Sequence, residues 1–142
     1  TAVGYQAGLA ITTGVSNDIF GGSAGDALTT GSFNVAIGRS SLSSDTLGST
    51  SVAVGHAALA TQNQTTAVNT FNVAVGYTAG NDITTGTSNV LIGGLTGDAL
   101  TSGLYNVAVG TNALGADTQG KYSTAIGEQQ QVHQSQQVLI IP

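Results

Sequence analysis

The chain has 142 residues, with seven acidic and two basic side chains, a net charge of −5 and neither cysteine nor methionine. This composition excludes disulfides and thiolate metal sites, and it lacks the clustered lysine and arginine residues that nucleic-acid binding requires. No run of 18 apolar residues occurs, which predicts no membrane insertion by this segment. The absence of an initiating methionine predicts a segment of a longer protein.

A glycine after a short apolar triplet recurs in steps of 17 residues, with one step of 21. These glycines are Gly4, Gly21, Gly38, Gly55, Gly76, Gly93, Gly110 and Gly127. A fixed period of this length predicts a stack of similar structural units. Positions are numbered within each turn, and the turns open at Thr1, Asp18, Val35, Val52, Val73, Val90, Val107 and Thr124. A second glycine column at position 14 indicates a second sharp corner in each turn.

Position 3 is apolar in every turn and position 1 is Val in five turns, which is typical of a short strand. The pattern predicts an all-β parallel β-roll, or β-solenoid, of about 17 residues per turn over residues 1–127. The glutamine-rich residues 128–142 keep neither glycine column and are predicted to form a connector or cap. Alternation along a strand predicts that positions 1 and 3 face the coil interior. The aromatic residues at position 16 have the same parity and are predicted in the core (Phe33, Phe71, Tyr105 and Tyr122).

A column of small residues at position 2 is expected to face away from the coil. It consists of Ala2, Ala36, Ala53, Ala74, Ala108 and Ala125. Because small side chains allow another backbone to pack closely, this column predicts a subunit interface in a homo-oligomer.

A second apolar contribution alternates between two positions of each turn. Where position 8 is glycine, position 11 is Ile or Leu; where position 8 is Leu, position 11 is Asp45, Gln62 or Asp117. One large aliphatic side chain per turn therefore fills the second wall of a packed core. A longer repeat of 72 residues is also present, since the first turn matches the fifth at twelve of seventeen positions. The four-turn unit is thus predicted to be duplicated.

The segments SVAVG at 51–55, NVAVG at 72–76 and TAVGYQAG at 1–8 carry a resemblance over residues 1–128. They resemble the head repeats of trimeric autotransporter adhesins and, more closely in length, the repeats of phage tail-fibre proteins. The resemblance implies a trimer of β-rolls in a surface-displayed fibre that binds host surfaces. The expected function is a structural and receptor-binding segment of a phage tail fibre in the virion, with the head of a bacterial adhesin on the outer cell surface as the alternative.

Two further functions were weighed against residue patterns. A polysaccharide-cleaving tailspike would use paired carboxylates such as Asp26 with Asp45 or Asp98 with Asp117, but these pairs are copies of each other and behave as turn residues. Six threonines at position 12 could form an ice-binding face, yet no second threonine column accompanies them, which favours a hydroxyl ladder at a corner. We therefore predict no enzymatic activity, no catalytic or metal site and no cofactor.

The long turn from Val52 to Asn72 is predicted to carry the binding site, because it alone interrupts the regular rod. Its four extra residues lie within 61–70, and its amide and hydroxyl side chains suit hydrogen bonds to a cell-surface glycan or protein receptor. The candidate binding residues are His56, Gln62, Asn63, Gln64, Thr65, Thr66, Asn69 and Tyr77.

Overall fold

A computed structural model describes residues 1–128 and, for the backbone alone, residues 138–139. The described chain forms one parallel sheet in which the strands follow each other in sequence order. The strands are β1 (Ala2–Val3), β2 (Asp18–Phe20), β3 (Val35–Ile37), β4 (Val52–Val54), β5 (Val73–Val75), β6 (Val90–Ile92), β7 (Val107–Val109), β8 (Thr124–Ile126) and β9 (Val138–Leu139). Seven complete turns lie between β1 and β8, so the predicted β-solenoid is confirmed.

The strand register repeats the sequence period. Val35 pairs with Val52, and Val52 with Val73 across the long turn, so the four extra residues leave the ladder unshifted. Strand β9 pairs in parallel with β8 through Thr124 and Val138. Most of the predicted connector or cap at 128–142 lies outside the described residues. The part of the chain that the structure describes contains no helix long and apolar enough to span a membrane.

The alanine column at position 2 lies inside the coil, which corrects the predicted direction of the strand faces. Ala36, Ala53, Ala74, Ala108 and Ala125 are fully buried, whereas Ala2 is exposed in the first turn. Positions 1 and 3 instead point outward, with Ile37 40% and Ile92 42% exposed. Alanine lines this wall in most turns, opposite a Leu or Ile of the second wall. In turns 2 and 6 the position is filled by Ile19 and Leu91, which are also fully buried and pack beside Gly25 and Gly97.

The second wall of the coil is formed, as predicted, by large aliphatic side chains that alternate between positions 8 and 11. Leu28, Ile83 and Leu100 from position 11 and Leu42, Leu59 and Leu114 from position 8 are all fully buried. Leu42 and Leu59 adopt left-handed backbone with φ of 50°, the conformation that glycine takes at this position in other turns. A buried side chain therefore offsets the cost of a conformation that L-residues seldom adopt.

A buried ladder of asparagines at position 17 ties the turns together. The Oδ1 atom of Asn17 accepts a hydrogen bond from the backbone N–H of Asn34 at 2.9 Å, and its Nδ2 donates to the carbonyl of Gly31 at 2.9 Å. Asn72, Asn89 and Asn106 repeat this pattern. Because each side chain satisfies two backbone groups of the next turn, the polar column is compatible with complete burial.

The glycine corner at position 4 depends on both conformation and space. Gly76 has φ of 144°, and a Cβ there would meet the backbone carbonyl of Gly93 in the next turn. No side chain fits either requirement without moving the neighbouring turn. The position 14 glycines differ, since they have no positive φ and are needed because adjacent turns approach closely, as at Gly86 against Gly103.

The aromatic residues at position 16 are exposed, and the prediction that they lie in the core is wrong. Phe33, Phe71, Tyr105 and Tyr122 are between 52% and 61% exposed. Each has a positive φ between 52° and 60°. Position 16 shares its parity with positions 1 and 3, so its exposure agrees with the outward direction of those positions, and the error lies in the predicted direction of the strand face.

Candidate functional site

The long turn presents only part of the predicted binding site to solvent. Asn63, Thr65, Thr66 and Asn69 are exposed, and so are His56 and Tyr77 in the neighbouring corner. The two glutamines are not available to a ligand, because Gln62 is fully buried and Gln64 is 6% exposed. Their assignment to the binding surface is therefore corrected.

Gln62 belongs to a buried polar network within the coil. Its Nε2 donates to the Oδ2 of Asp45 at 2.5 Å and to the Oγ of Ser51 at 2.8 Å, and its Oε1 accepts from the Nδ2 of Asn72 at 2.8 Å. The hydroxyl of Ser51 also lies 2.5 Å from that of Thr70. These side chains replace the large aliphatic residue that position 11 supplies elsewhere, so the core is polar at this point.

The carboxyl group of Asp45 is the acceptor on which the network converges. It is fully buried, and its Oδ1 accepts from the backbone N–H of Gly48 at 2.9 Å and of Gln64 at 3.3 Å. Buried polar groups are tolerated when they are hydrogen-bonded in this way. The network thus holds both ends of the inserted loop, and residues 65–69 project from a fixed base.

His56 and Tyr77 form a ring stack at position 5, one turn apart. Their ring centroids are 5.3 Å apart and the planes differ by 15°. Within residues 1–128, no hydrogen bond or ring contact joins this stack to the loop at 65–69. The structure therefore separates the predicted site into a polar loop and an aromatic corner.

The outward apolar residues of strands β2 to β8 line one side of the rod, where Asp18 and Thr124 are the polar members of the same positions. We call it the outer sheet face, and it comprises Phe20, Val35, Ile37, Val52, Val54, Val73, Val75, Val90, Ile92, Val107, Val109 and Ile126. All are half-buried or exposed, and the aromatic column of position 16 precedes the same strands. Proteins that function as single chains seldom expose so long an uninterrupted apolar surface, so this face has the chemistry of an interface.

The carboxylates weighed for glycoside cleavage occupy structural places. Both carboxyl oxygens of Asp45 accept hydrogen bonds within the buried network. The Oδ1 of Asp117 accepts from the N–H groups of Gln119 and Gly120 at 3.2 and 2.9 Å. Partial burial, together with the nearby Asp82, raises the pKa of Asp98 above its ordinary value. Neither predicted pair places two free carboxyl groups in a groove.

The threonine column at position 12 has a structural explanation. The position 12 threonines form the predicted ladder, since Thr12 Oγ1 donates to the Thr29 carbonyl at 3.1 Å and Thr29 Oγ1 to that of Thr46 at 2.9 Å. Across the described ranges, no three His, Cys, Asp or Glu residues are grouped to hold a metal ion. The prediction that the segment has no cofactor remains a prediction.

Sequence reasoning missed the asparagine ladder and the buried partner of Asp45. Both could have been found from the columns, because residues at one position of consecutive turns stack directly on each other. Asp45 and Gln62 are consecutive at position 11, and asparagine recurs at position 17. A polar residue that keeps a column of a narrow coil indicates a buried ladder.

Comparisons of the chain with protein-family models, with curated proteins and with solved structures give no match. The fold assignment consequently depends on strand order, register and burial alone.

Proposed function

We propose that this segment is a structural and receptor-binding part of a surface-displayed trimeric fibre, with a phage tail fibre in the virion as the first candidate. The observation that carries the proposal is the outer sheet face, which runs along seven strands and is aliphatic over nearly its whole length. A rod with an exposed apolar face of this kind would be poorly soluble alone. Association buries the exposed valine and isoleucine side chains at a gain of about 25 cal/mol per Å².

The partner that best fits this face is another copy of the same chain. Its side chains recur at each strand spacing of about 4.8 Å, and an identical rod has the same spacing along its whole length. A partner with a different repeat would lose register after a few turns. The interface is therefore placed on the outer sheet face and not on the alanine column, which is enclosed within the coil.

The trimer and the fibre class derive from the repeat resemblance. The head of a bacterial trimeric adhesin remains the alternative, favoured by the SVAVG form at 51–55. The full-length sequence discriminates between them: a virion-attachment domain supports the phage fibre, and an export signal with a membrane anchor supports the adhesin. A catalytic role is not proposed, since the strongest carboxylate candidate is buried and hydrogen-bonded.

Assembly is tested by sedimentation equilibrium of the wild type and of the variant Val73→Lys/Val75→Lys. We expect a trimer for the wild type and a lower assembly state for the variant, because lysine at the centre of the face introduces charges into an apolar contact. The control is Thr66→Lys in the exposed loop, which should leave the trimer intact. A stable wild-type monomer at micromolar concentration would refute the proposed assembly.

Receptor binding is tested by shortening the long turn to 17 residues through deletion of residues 65–68, all of which are exposed. This deletion spares Gln62 and Gln64, so the buried network can persist. If the loop contacts the receptor, attachment of the trimer to host cells should fall at least tenfold. Full attachment by a correctly assembled deletion variant would exclude the loop from recognition.

A further inference from the structure

The solenoid stacks side chains of one column at the separation of stacked rings. His56 and Tyr77 at position 5 lie 5.3 Å apart, and Tyr105 and Tyr122 at position 16 lie 5.1 Å apart with planes only 2° from parallel. Both values fall within the range for paired aromatic rings. A ring on one turn can therefore stack against a ring held at the same position of the next turn.

Gly94 provides no side chain at the position that would stack on Tyr77. Tyr77 has His56 on one face of its ring, so the opposite face is turned toward the following turn, where position 5 is Gly94. A Cβ built on Gly94 would meet no atom within 4 Å, and Tyr77 is 60% exposed. The next side chain of the column is the exposed Thr111. Two turns separate Tyr77 from Thr111, about 9.6 Å, which leaves room for one ring.

We propose that this ring gap, bounded by Tyr77, Gly94 and Thr111, binds one pyranose ring of a glycan. A pyranose has an apolar face of C–H groups and an edge of hydroxyl groups. The gap matches both, since the Tyr77 ring and the half-exposed Leu95 are apolar and Thr111 offers a hydroxyl. The inference deepens the proposed receptor-binding function and rests on it.

A glycan is favoured over the other ring-bearing ligands. A nucleobase could stack on Tyr77, but the chain has two basic residues and a net charge of −5, which opposes binding of a phosphate backbone. An aromatic side chain of a protein would fill the gap without using the Thr111 hydroxyl. The sugar alone uses both walls.

The 72-residue duplication produces a second gap of the same design with a different wall. Tyr5 corresponds to Tyr77, and Gly22 to Gly94, where an added Cβ again meets no atom within 4 Å. The far wall is Arg39, which is exposed and makes no ion pair within residues 1–128. A guanidinium pairs with carboxylate in a two-point geometry. We therefore assign a sugar that carries a carboxylate to this gap and a neutral sugar to the gap at Gly94.

The test is to fill the gap at Gly94 without disturbing the fold. Gly94 has no positive φ, and His56 shows that the column accepts a histidine, so Gly94→His should fold and place a ring on Tyr77. Binding of cellohexaose and of hexagalacturonate is measured by saturation-transfer NMR. We expect Gly94→His to weaken cellohexaose binding at least tenfold with an unchanged or higher Tm, and Tyr77→Ala to weaken it equally.

Matched controls separate the gap from general surface effects. Gly94→Ala adds only a methyl group and should retain binding, and so should Tyr105→Ala, which removes an exposed ring from the separate column at position 16. For hexagalacturonate, Arg39→Gln should lower affinity at least tenfold while cellohexaose binding is retained. The supporting result is loss of binding in the gap variants alone.

Three outcomes would overturn the inference. They are the absence of saturation transfer from either oligosaccharide to the wild type, equal binding by Gly94→His and wild type, and preferential binding of N-acetyltyrosinamide over both sugars. These outcomes are distinct from failure of the proposed function. A trimer that attaches to cells but binds neither sugar would refute only the ring gap, whereas a monomer that binds cellohexaose through Gly94 would refute only the fibre assembly.

Discussion

The two four-turn copies of the repeat have an aspartate at the same place, Asp45 and Asp117, but the two carboxyl groups make different hydrogen bonds. In the first copy, Asp45 is fully buried and its Oδ2 accepts from Gln62 of the long turn. In the second copy, Asp117 keeps the local turn bond to Gly120 N–H, but its Oδ2 is buried with no hydrogen-bond partner in the described chain. Within residues 1–128, the aspartate is the centre of a side-chain network in the first copy and has only its turn bonds in the second. In the first copy the side-chain donor comes from the next turn.

The largest effect that follows from this difference is expected for Asp45→Ala. The substitution leaves the Gln62 amide and the N–H groups of Gly48 and Gln64 without their acceptor inside the coil, which should lower the free energy of unfolding by about 3 kcal/mol. Asp117→Ala loses only two turn bonds at a partly exposed site and should cost about 1 kcal/mol. Urea denaturation of both variants measures the two values. Equal losses would show that the network adds nothing to the turn.

Gln62→Leu would remove the side-chain donor to Asp45 from the first copy. The buried Oδ2 of Asp45 then has no side-chain donor, and we expect a loss of about 2 kcal/mol in the free energy of unfolding. Thr66→Leu on the exposed loop is the control and should change stability by less than about 0.5 kcal/mol. A Gln62→Leu protein as stable as the control would indicate that water replaces the amide.

The ring stacks give a smaller contrast between the copies. Tyr105 and Tyr122 stack in the second copy, whereas their equivalents are Phe33 and Thr50 in the first. A double-mutant cycle to alanine should give a coupling energy of about 0.5–1 kcal/mol for the tyrosine pair. The same cycle on Phe33 and Thr50 should give a value near zero, and a comparable coupling there would contradict the stacking explanation.

The smallest effect concerns pH, because turn 5 has Asp82 where turn 1 has Ala10. Two causes raise the pKa of Asp98 above its ordinary value of 3.8. The larger is burial of the carboxyl group, and the other is repulsion from the carboxylate of Asp82. A raised carboxyl pKa means that the folded protein binds the proton more tightly. This contribution to stability is therefore fully present below the unfolded-state pKa and is lost as pH rises through the folded-state pKa.

Asp82→Ala should reduce this loss, because the repulsion between the two carboxylates is removed. The measurement is Tm at several values from about pH 3 to 7, which span the titration of carboxyl groups. Ala10→Asp, which places a carboxyl group beside Asp26, is the converse variant and should steepen the pH dependence. Identical pH profiles for Asp82→Ala and the wild type would remove Asp82 as a cause of the shift.

Much of the fold could be predicted because each turn repeats the same constraints. The glycine at position 4, the compensating Leu and Ile residues and the threonine ladder each recur at one spacing, and only stacked turns satisfy all of them. The exposure of position 5 could likewise be anticipated from its place after the corner. A residue type that recurs at one position of successive turns can therefore be placed in the fold from the sequence alone.

The direction of the side chains could not be obtained from the same columns. Alternation separates Ala53 from Val52 and Val54 but does not say which face is inside, and ranking by hydrophobicity selects the wrong one. Burial decides it: the whole position 2 column of strands β2 to β8, including Ile19 and Leu91, is enclosed in the coil. Position 16 shares its parity with positions 1 and 3, so the error in the direction of the strand face carried over to it.

By itself, the sequence determined the period, the parallel sheet and the place where an extra loop leaves the rod, because these depend on spacing along the chain. Tertiary structure alone decided which residues a ligand can reach. Gln62 and Gln64 lie in a polar loop sequence yet are buried: the Gln62 side chain donates to the buried carboxyl of Asp45, and Gln64 donates to it through its backbone N–H. Gly94 is an ordinary corner residue in sequence and becomes a binding place only because stacking puts the Tyr77 ring beside it.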